Sequence, residues 1–197
     1  MPPSMQSPAI ARRCVSVGLT ILLAGALAAC GSMQPRDFAG AQPRLLLEDY
    51  FDGRTKAYGL FHDRFGDLRR QFTVEIDGDW DPQTRTLTLD ERFRYADGER
   101  DRRVWTIRKT GPHRYAGSAG DVLGEARGQA YGNAFNWTYQ VELESGESTW
   151  TVTFDGWMFL QEDGVLLNTA SVTKWGVEVG RVTLAFRQVE APSQDDG

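Results

Sequence analysis

Most of this sequence, from residue 68 to residue 186, alternates between apolar and polar side chains with a period of two. The clearest alternating runs are residues 68–76, 87–95, 135–143 and 150–154. Successive side chains of a β-strand point to opposite faces, so this pattern indicates strands that bury one face. The alternation breaks at residues 155–160, where both faces are apolar and Gly156 predicts a β-bulge. No segment keeps the helical period of 3.6 for three turns, and the pattern therefore predicts an all-β domain of antiparallel strands.

Short turns predict how neighbouring strands pair. Residues 96–98 suit a three-residue hairpin loop with Gly98 in the left-handed conformation, and residues 132–133 and 145–146 suit two-residue loops. The pairs predicted by these loops are Glu91 with Arg103, Leu89 with Trp105, Leu87 with Ile107, Gly124 with Val141, Ala126 with Tyr139, Gly128 with Trp137, Ala130 with Phe135, Val141 with Trp150, Tyr139 with Val152 and Trp137 with Phe154. A strand of small residues beside a strand of aromatic ones is typical of a tapered barrel interior. We therefore predict an antiparallel up-and-down β-barrel of about 8–10 strands, with a β-sandwich as the alternative.

The N-terminus has the pattern of an exported protein. Arg12 and Arg13 precede an uncharged, mostly apolar run over residues 14–26. A run this short, followed by small residues, predicts a cleaved signal peptide, because a membrane-spanning helix needs about 20 apolar residues. An ordinary secretory signal followed by a mature cysteine is the alternative to a lipoprotein signal.

Residues 27–30, Leu-Ala-Ala-Cys, match the lipobox of bacterial lipoproteins. The resemblance implies cleavage before Cys30 and acylation of Cys30, which would be the protein's link to membrane lipid. Because Gly31 rather than aspartate follows Cys30, it also implies sorting to the outer membrane, with the domain facing the periplasm.

These signals divide the chain into four parts: a signal peptide at residues 1–29, an acylated cysteine with a polar tether at 30–42, a barrel domain at 43–189 and an acidic tail at 190–197. Removing Arg12 and Arg13 with the signal peptide changes the formal charge from −5 to −7. An acidic domain argues against nucleic acid as a partner and against a domain that lies flat on anionic lipid. If Cys30 is acylated, the mature chain keeps no free thiol for a disulfide bond, a metal ion or nucleophilic catalysis.

The sequence offers few residues for catalysis. Its two histidines, His62 and His113, lie near predicted turns, and neither has the spacing of a metal ligand to another histidine or cysteine. No nucleophile elbow and no phosphate-binding glycine loop is present in the sequence. We therefore predict a protein that is not an enzyme and that has no cofactor and no metal site.

Glu91 and Arg103 are charged residues on predicted apolar strand faces, directly opposite each other. Burying a charge is costly unless it is paired, so one interpretation is an ion pair at the mouth of the barrel. In the other interpretation Arg103 binds the carboxylate or phosphate of a ligand and Glu91 orients it. Arg70 also lies on the predicted inward-facing side of its own strand. The candidate ligand-binding residues are Arg103, Glu91, Arg70, Trp105, Trp137 and Tyr139.

Several motifs occur in an order that resembles a family of proteobacterial lipoproteins, domain of unknown function 3833. They are residues 47–53, 90–98, 103–105, 121–124, 132–133, 157–159 and 174–176. The resemblance implies a lipoprotein with a lipocalin-like (calycin-like) barrel, and it implies no activity or site. The function we predict is a membrane-anchored lipoprotein whose barrel binds a small apolar or amphipathic, lipid-like ligand on the periplasmic side. The alternative is a structural or interaction lipoprotein with a barrel filled by its own side chains.

Overall fold

The computed structural model describes residues 32–145 and 148–189, so the predicted signal peptide, Cys30 and the C-terminal tail lie outside the described residues. A short 3-10 helix, Pro35–Phe38, and a short α-helix, α1 at Leu47–Phe51, precede the strands. The strands of the described residues are β1 Gly53–Asp63, β2 Leu68–Asp81, β3 Thr86–Tyr95, β4 Arg100–Gly111, β5 Arg114–Ser118, β6 Val122–Tyr131, β7 Ala134–Ser145, β8 Ser148–Leu160, β9 Leu166–Lys174 and β10 Val177–Gln188. No helix among the described residues is long and apolar enough to cross a membrane.

Each strand pairs antiparallel with its neighbour in sequence, and β1 pairs with β10 to close the sheet. The prediction of an up-and-down barrel is therefore confirmed, with ten strands in the described residues, and the sandwich alternative is wrong. The residues expected to face the interior are buried or half-buried: Phe72, Val74, Leu89, Trp105, Trp137, Tyr139 and Val152. These side chains point inward because every second residue of a strand lies on the same face, and the apolar face is the one buried away from water.

The β3–β4 hairpin has the predicted register. Glu91 pairs with Arg103 and Leu89 pairs with Trp105. Residues 96–98 form the loop, and Gly98 has a φ of 91°. This positive φ is strained for residues with a Cβ atom and explains why glycine occupies the position.

Two predicted registers are wrong in part. Gly128 and Ala130 pair with Trp137 and Phe135 as expected, but a bulge between Leu123 and Arg127 removes the predicted pairs of Gly124 with Val141 and of Ala126 with Tyr139. In the β7–β8 hairpin, Ser145 pairs with Ser148, so the loop predicted at residues 145–146 is wrong. The observed pairs are Val141 with Val152, Tyr139 with Phe154 and Trp137 with Gly156. A slip of two residues keeps every side chain on its face, so apolar alternation alone does not distinguish the two registers.

One end of the barrel, here called the closed end, is covered by α1. The carbonyl oxygen of Phe51 lies where a Cβ atom on Gly78 would be, so the backbones of α1 and β2 are in close contact. The Tyr50 hydroxyl donates to the carbonyl oxygen of Phe186 over 3.1 Å. The opposite end, called the mouth, is formed by the turns β1–β2, β3–β4, β5–β6, β7–β8 and β9–β10.

The outer face of β8 is covered by the 3-10 helix at the closed end. The ring of Phe38 lies 6.0 Å from the ring of Trp157 and 5.3 Å from the ring of Phe159. This contact explains why both faces of residues 155–160 are apolar. The bulge predicted at Gly156 is wrong, since β8 pairs continuously with β7 and β9 there. The predicted tether of residues 30–42 therefore packs against the barrel from Pro35 onward, whereas its first residues and the boundary at Cys30 stay a prediction.

Candidate functional site

A cavity of about 280 Å³ lies inside the barrel between α1 and the mouth. Its floor is formed by Leu47 and Phe51 of α1, and aliphatic and aromatic side chains of the strands form most of its wall. The charged, hydroxyl and amide side chains that line it are Arg70, Glu91, Tyr95, Arg103, Tyr139 and Asn168. An apolar cavity with a few convergent polar groups is the usual form of a small-molecule site.

All six residues predicted as ligand-binding candidates line this one cavity. Arg70 lies on β2, Glu91 on β3, Arg103 and Trp105 on β4, and Trp137 and Tyr139 on β7. The structure thus brings the candidates together, and their role in binding stays a prediction.

Arg103 forms an ion pair with Asp121 rather than with Glu91, which corrects the predicted pair. Its Nη2 atom lies 2.7 Å from Oδ2 of Asp121, and the two side chains are 25% and 33% exposed. Glu91 and Arg103 are cross-strand neighbours as predicted, but no charged atoms of these two described residues lie within 4.0 Å of each other. The β5–β6 turn carries Asp121 to the edge of the mouth, where its carboxylate is the closer partner. The other oxygen of Asp121, Oδ1, is buried without a hydrogen-bond partner.

Glu91 is the acidic group inside the cavity, and its ionisation is strongly perturbed. Burial raises its pKa from the usual 4.5 to about 7, and the positive charge of Arg103 limits that rise. The negative charge of Asp121 acts in the same direction as burial. Glu91 therefore changes its charge near neutral pH, as a carboxyl group does when it loses hydration without a direct counter-ion.

Arg70 is held at the rim of the mouth by acidic and aromatic neighbours. Its Nη2 atom lies 2.6 Å from Glu99 and 3.3 Å from Asp97, and its guanidinium carbon lies 3.8 Å from the centre of the Tyr95 ring. Both arginines of the cavity thus have carboxylate partners. The carboxyl groups that surround Arg70 and Arg103 are Glu91, Asp97, Glu99 and Asp121, so the two arginines inside the cavity have no excess of positive charge.

Three aromatic rings on β4 and β7 form one wall of the cavity. The ring of Trp105 lies 5.7 Å from that of Trp137 and 5.2 Å from that of Tyr139, both edge to face. Burial raises the pKa of Tyr139 to about 12, although the nearby charge of Arg103 opposes this. The Tyr139 hydroxyl is therefore a neutral hydrogen-bonding group beside Arg103 at physiological pH.

The strand of small residues does not line open space throughout. A Cβ atom on Gly128 would lie 2.3 Å from the Trp137 ring and 2.4 Å from the Phe135 ring, so these side chains fill the space beside β6. The open volume lies instead between this aromatic wall and strands β2, β3, β9 and β10. Large and small residues interlock on one side of the barrel, and a cavity remains on the other.

Two features of the site were not predicted. Asp121 was missed because it lies in a turn, where alternation gives no information about its partner. Asn168 is buried on the cavity wall and donates its amide hydrogen to the carbonyl oxygen of Trp157 over 3.1 Å. Among residues 32–145 and 148–189, no group of three or more histidine, cysteine, aspartate or glutamate side chains could hold a metal ion.

A family model described as "Protein of unknown function (DUF3833)" matches residues 24–188. No curated protein matches the sequence. Among solved structures, the chain is similar to the S-type phycobiliprotein lyase CPES from Guillardia theta, with a TM-score of 0.51 and 9% sequence identity. The similarity covers 77% of this chain and 96% of that one, and at this identity it shows a shared lipocalin-like fold.

Proposed function

This chain belongs to the DUF3833 family, and we propose that its barrel binds one small, largely apolar molecule whose polar head lies between Glu91 and Arg103. The observation that carries the proposal is the apolar cavity with these two groups at its mouth side. A fold shared with a phycobiliprotein lyase supports a ligand-binding barrel.

The volume of the cavity restricts the ligand. A dry cavity of about 150 Å³ holds one benzene molecule. At about 280 Å³ the cavity suits a molecule roughly twice that size. We therefore propose a single short chain or a small ring system rather than a two-chain lipid.

The charges around the cavity restrict the head group. An acidic head would compete with Asp121 for Arg103 and would be repelled by ionised Glu91. An uncharged head with a hydroxyl group, or with an amide that carries an N–H, can accept a hydrogen bond from Arg103 and donate one to Glu91. We propose an uncharged polar head at neutral pH, in place of the carboxylate or phosphate that the sequence predicted.

A glutamate with a pKa near 7 in a cavity also meets a requirement of general acid–base catalysis. However, no serine, threonine, cysteine, histidine or lysine side chain lines the cavity in the described part of the chain. A perturbed carboxyl group without such partners does not specify a reaction, and we propose binding as the function.

Binding is tested with molecules of one chain length and different heads. The full chain carrying Cys30→Ser, purified without detergent, is titrated with decanol, decanoic acid and decylamine at pH 5.5 and 8. Native mass spectrometry and tryptophan emission report binding. We expect a one-to-one complex with decanol, and decanoic acid that binds more weakly at pH 8 than at pH 5.5.

Matched glycine variants show whether the ligand occupies the cavity. Gly156 lines the cavity and has room for a Cβ atom, so Gly156→Val should reduce decanol affinity at least tenfold. Gly111 lies where a Cβ atom would meet only the Arg114 side chain, so Gly111→Val is the control. Equal affinity in both variants, or no binding of any of the three molecules, would favour a filled structural barrel.

We also propose that acylated Cys30 anchors the protein in the outer membrane with the barrel in the periplasm. The lipobox-like sequence and the apolar run before it support this. Labelling cells with radioactive palmitate tests it: the unchanged chain should incorporate label and fractionate with outer membranes, and Cys30→Ser should do neither. Label in the Cys30→Ser variant would contradict the anchor.

A further inference from the structure

The mouth of the barrel carries an exposed apolar surface on one side. Large apolar residues with substantial exposure lie on the turns β1–β2 and β9–β10 and on the β7–β8 hairpin. We call this surface the apolar lip, and it consists of Phe65, Leu68, Leu143, Trp150, Trp175 and Val177. The side chains of Trp175 and Phe65 are 90% and 75% exposed, far more than ordinary packing leaves for residues of this size.

The elements that carry the lip are in contact with one another. The amino group of Lys174 lies 3.1 Å from the centre of the Trp150 ring and 4.5 Å from that of the Trp175 ring, which joins β8 to the β9–β10 turn. The backbone amide of Arg64 donates to the carbonyl oxygen of Val179 over 3.1 Å, which joins the β1–β2 turn to β10.

Trp175 has an unusual backbone for its type. Its φ is 53°, and Gly176 beside it has a φ of 80°, so the two residues form a turn in which asparagine or glycine is ordinarily favoured. A tryptophan with positive φ is strained, and the exposure of its ring shows little packing that would offset the strain. The outlier points to a role for the ring outside the barrel.

The cations of the lip are arranged differently from those elsewhere on the protein. Arg64 stacks on Phe65 at 4.7 Å, and Lys174 lies over the two tryptophans. Among the side chains that the structure describes, those of residues 32–143 and 149–189, neither cation has a carboxylate within 4.0 Å. The acids beside the β1–β2 and β9–β10 turns are already paired: Asp63 and Asp67 with Arg69, and Glu178 with Arg181.

We propose that the apolar lip inserts into the interface of an anionic phospholipid bilayer. Tryptophan is enriched at the headgroup level of membranes, and unpaired lysine and arginine beside it attract anionic lipid while their stems lie along apolar surface. Exposed turn tips with apolar side chains can enter a soft interface, where a protein partner would need a complementary concave surface. The proposal does not depend on a ligand in the cavity, because Leu143 is the one lip residue that lines it, and neither Phe65 nor Trp175 does.

The test measures partition onto vesicles with matched pairs of variants. All proteins are the full chain with Cys30→Ser, so that any contribution of the N-terminus is the same in each. The lip variant carries Phe65→Ser and Trp175→Ser. The control carries Tyr58→Ser and Leu167→Ser, which remove two exposed apolar side chains from the outer wall of the barrel.

Flotation is measured with vesicles of phosphatidylcholine alone and of phosphatidylcholine with an equal amount of phosphatidylglycerol. We expect the lip variant to lose at least tenfold in partition coefficient on the anionic vesicles, and the control to lose less than twofold. Arg64→Gln with Lys174→Gln should remove most of the preference for anionic vesicles. Lipids brominated near the headgroup should quench emission in the parent protein, and part of that quenching should disappear in Trp175→Phe.

Equal partition of the lip variant and the control would overturn the proposal, as would emission that brominated lipid leaves unchanged. A circular dichroism spectrum and a urea unfolding midpoint close to those of the parent show that the lip variant is folded. If either is lost, the brominated-lipid experiment on the parent protein and Trp175→Phe decides.

Discussion

Replacing Glu91 by glutamine should make the protein more stable at alkaline pH. The folded-state pKa of Glu91 is raised from 4.5 to about 7, because burial disfavours the ionised form. Such a group contributes stability that is fully present below pH 4.5 and is lost as the pH rises through about 7. Each tenfold difference in ionisation is worth 1.36 kcal/mol, so the whole loss is about 3 kcal/mol.

The measurement is urea unfolding of the full chain carrying Cys30→Ser, with and without Glu91→Gln, between pH 4.5 and 8.5. Glutamine has nearly the shape of protonated glutamate and stays neutral, so the variant should not lose this stability as the pH rises. Over this range, the free energy of unfolding should fall by about 3 kcal/mol more in the parent than in the variant. Carboxylates elsewhere titrate in both proteins and cancel in the difference.

Glu125→Gln is the control for removing a carboxylate, since Glu125 is exposed on the outer wall 3.6 Å from Arg127. Its difference from the parent should stay within about 0.5 kcal/mol at every pH. If the Glu91→Gln curve runs parallel to that of the parent, Glu91 is hydrated in solution and the assigned burial is wrong.

Two further changes test packing at the closed end and beside β6. Glu48 is buried, is paired with Lys109 and accepts a hydrogen bond of 2.7 Å from Tyr115. These two donors keep the pKa of Glu48 below 4.5, although burial alone would raise it. In urea unfolding, Glu48→Gln should therefore lower the free energy of unfolding by about 3 kcal/mol at pH 7, and by progressively less as the pH falls below 4.5. Gly128→Val should destabilise by about 1–3 kcal/mol or more, because the added carbon atoms collide with the Trp137 ring, and a thermal melt unchanged from the parent would show that the ring moves freely.

The period of two was sufficient to predict the barrel and the inward face of its strands, but not every pairing. On β7, the predicted partner of Val141 was Trp150 and the observed partner is Val152. Both have the same parity, and a hairpin loop around Gly146 is compatible with either. The choice between registers that differ by two residues depends on the packing of whole strands, and the local sequence pattern carries no information about that packing.

The candidate site was predicted in its residues but not in its charge pairing. Alternation placed Glu91 and Arg103 on one face, and the hairpin loop made them neighbours, as observed. Asp121, eighteen residues farther along the chain than Arg103, binds the guanidinium because the antiparallel pairing of β4 with β5 brings the β5–β6 turn beside Arg103. Which of the two carboxylates pairs with Arg103 depends on differences of a few ångströms that only the tertiary structure determines. For the same reason, the raised pKa of Glu91 could not be foreseen from the sequence.

The apolar lip and the 3-10 helix Pro35–Phe38 lie at opposite ends of the barrel, which makes a further prediction about the acylated protein. Cys30 precedes Pro35 by five residues, and these reach about 17 Å when fully extended. Strand β10 has twelve residues, about 36 Å along the strand and about 28 Å along the axis of a barrel with strands tilted by about 40°. An acyl anchor at Cys30 therefore holds the closed end near its membrane, and an upright barrel presents the lip to a second bilayer. We expect acylated protein in anionic vesicles to cluster those vesicles, and the Phe65→Ser, Trp175→Ser variant to leave them dispersed in dynamic light scattering. Dispersed vesicles with the parent protein, together with quenching of its emission by brominated lipid in the anchoring vesicle, would show that the barrel lies on its side and that the lip contacts the membrane that holds the anchor.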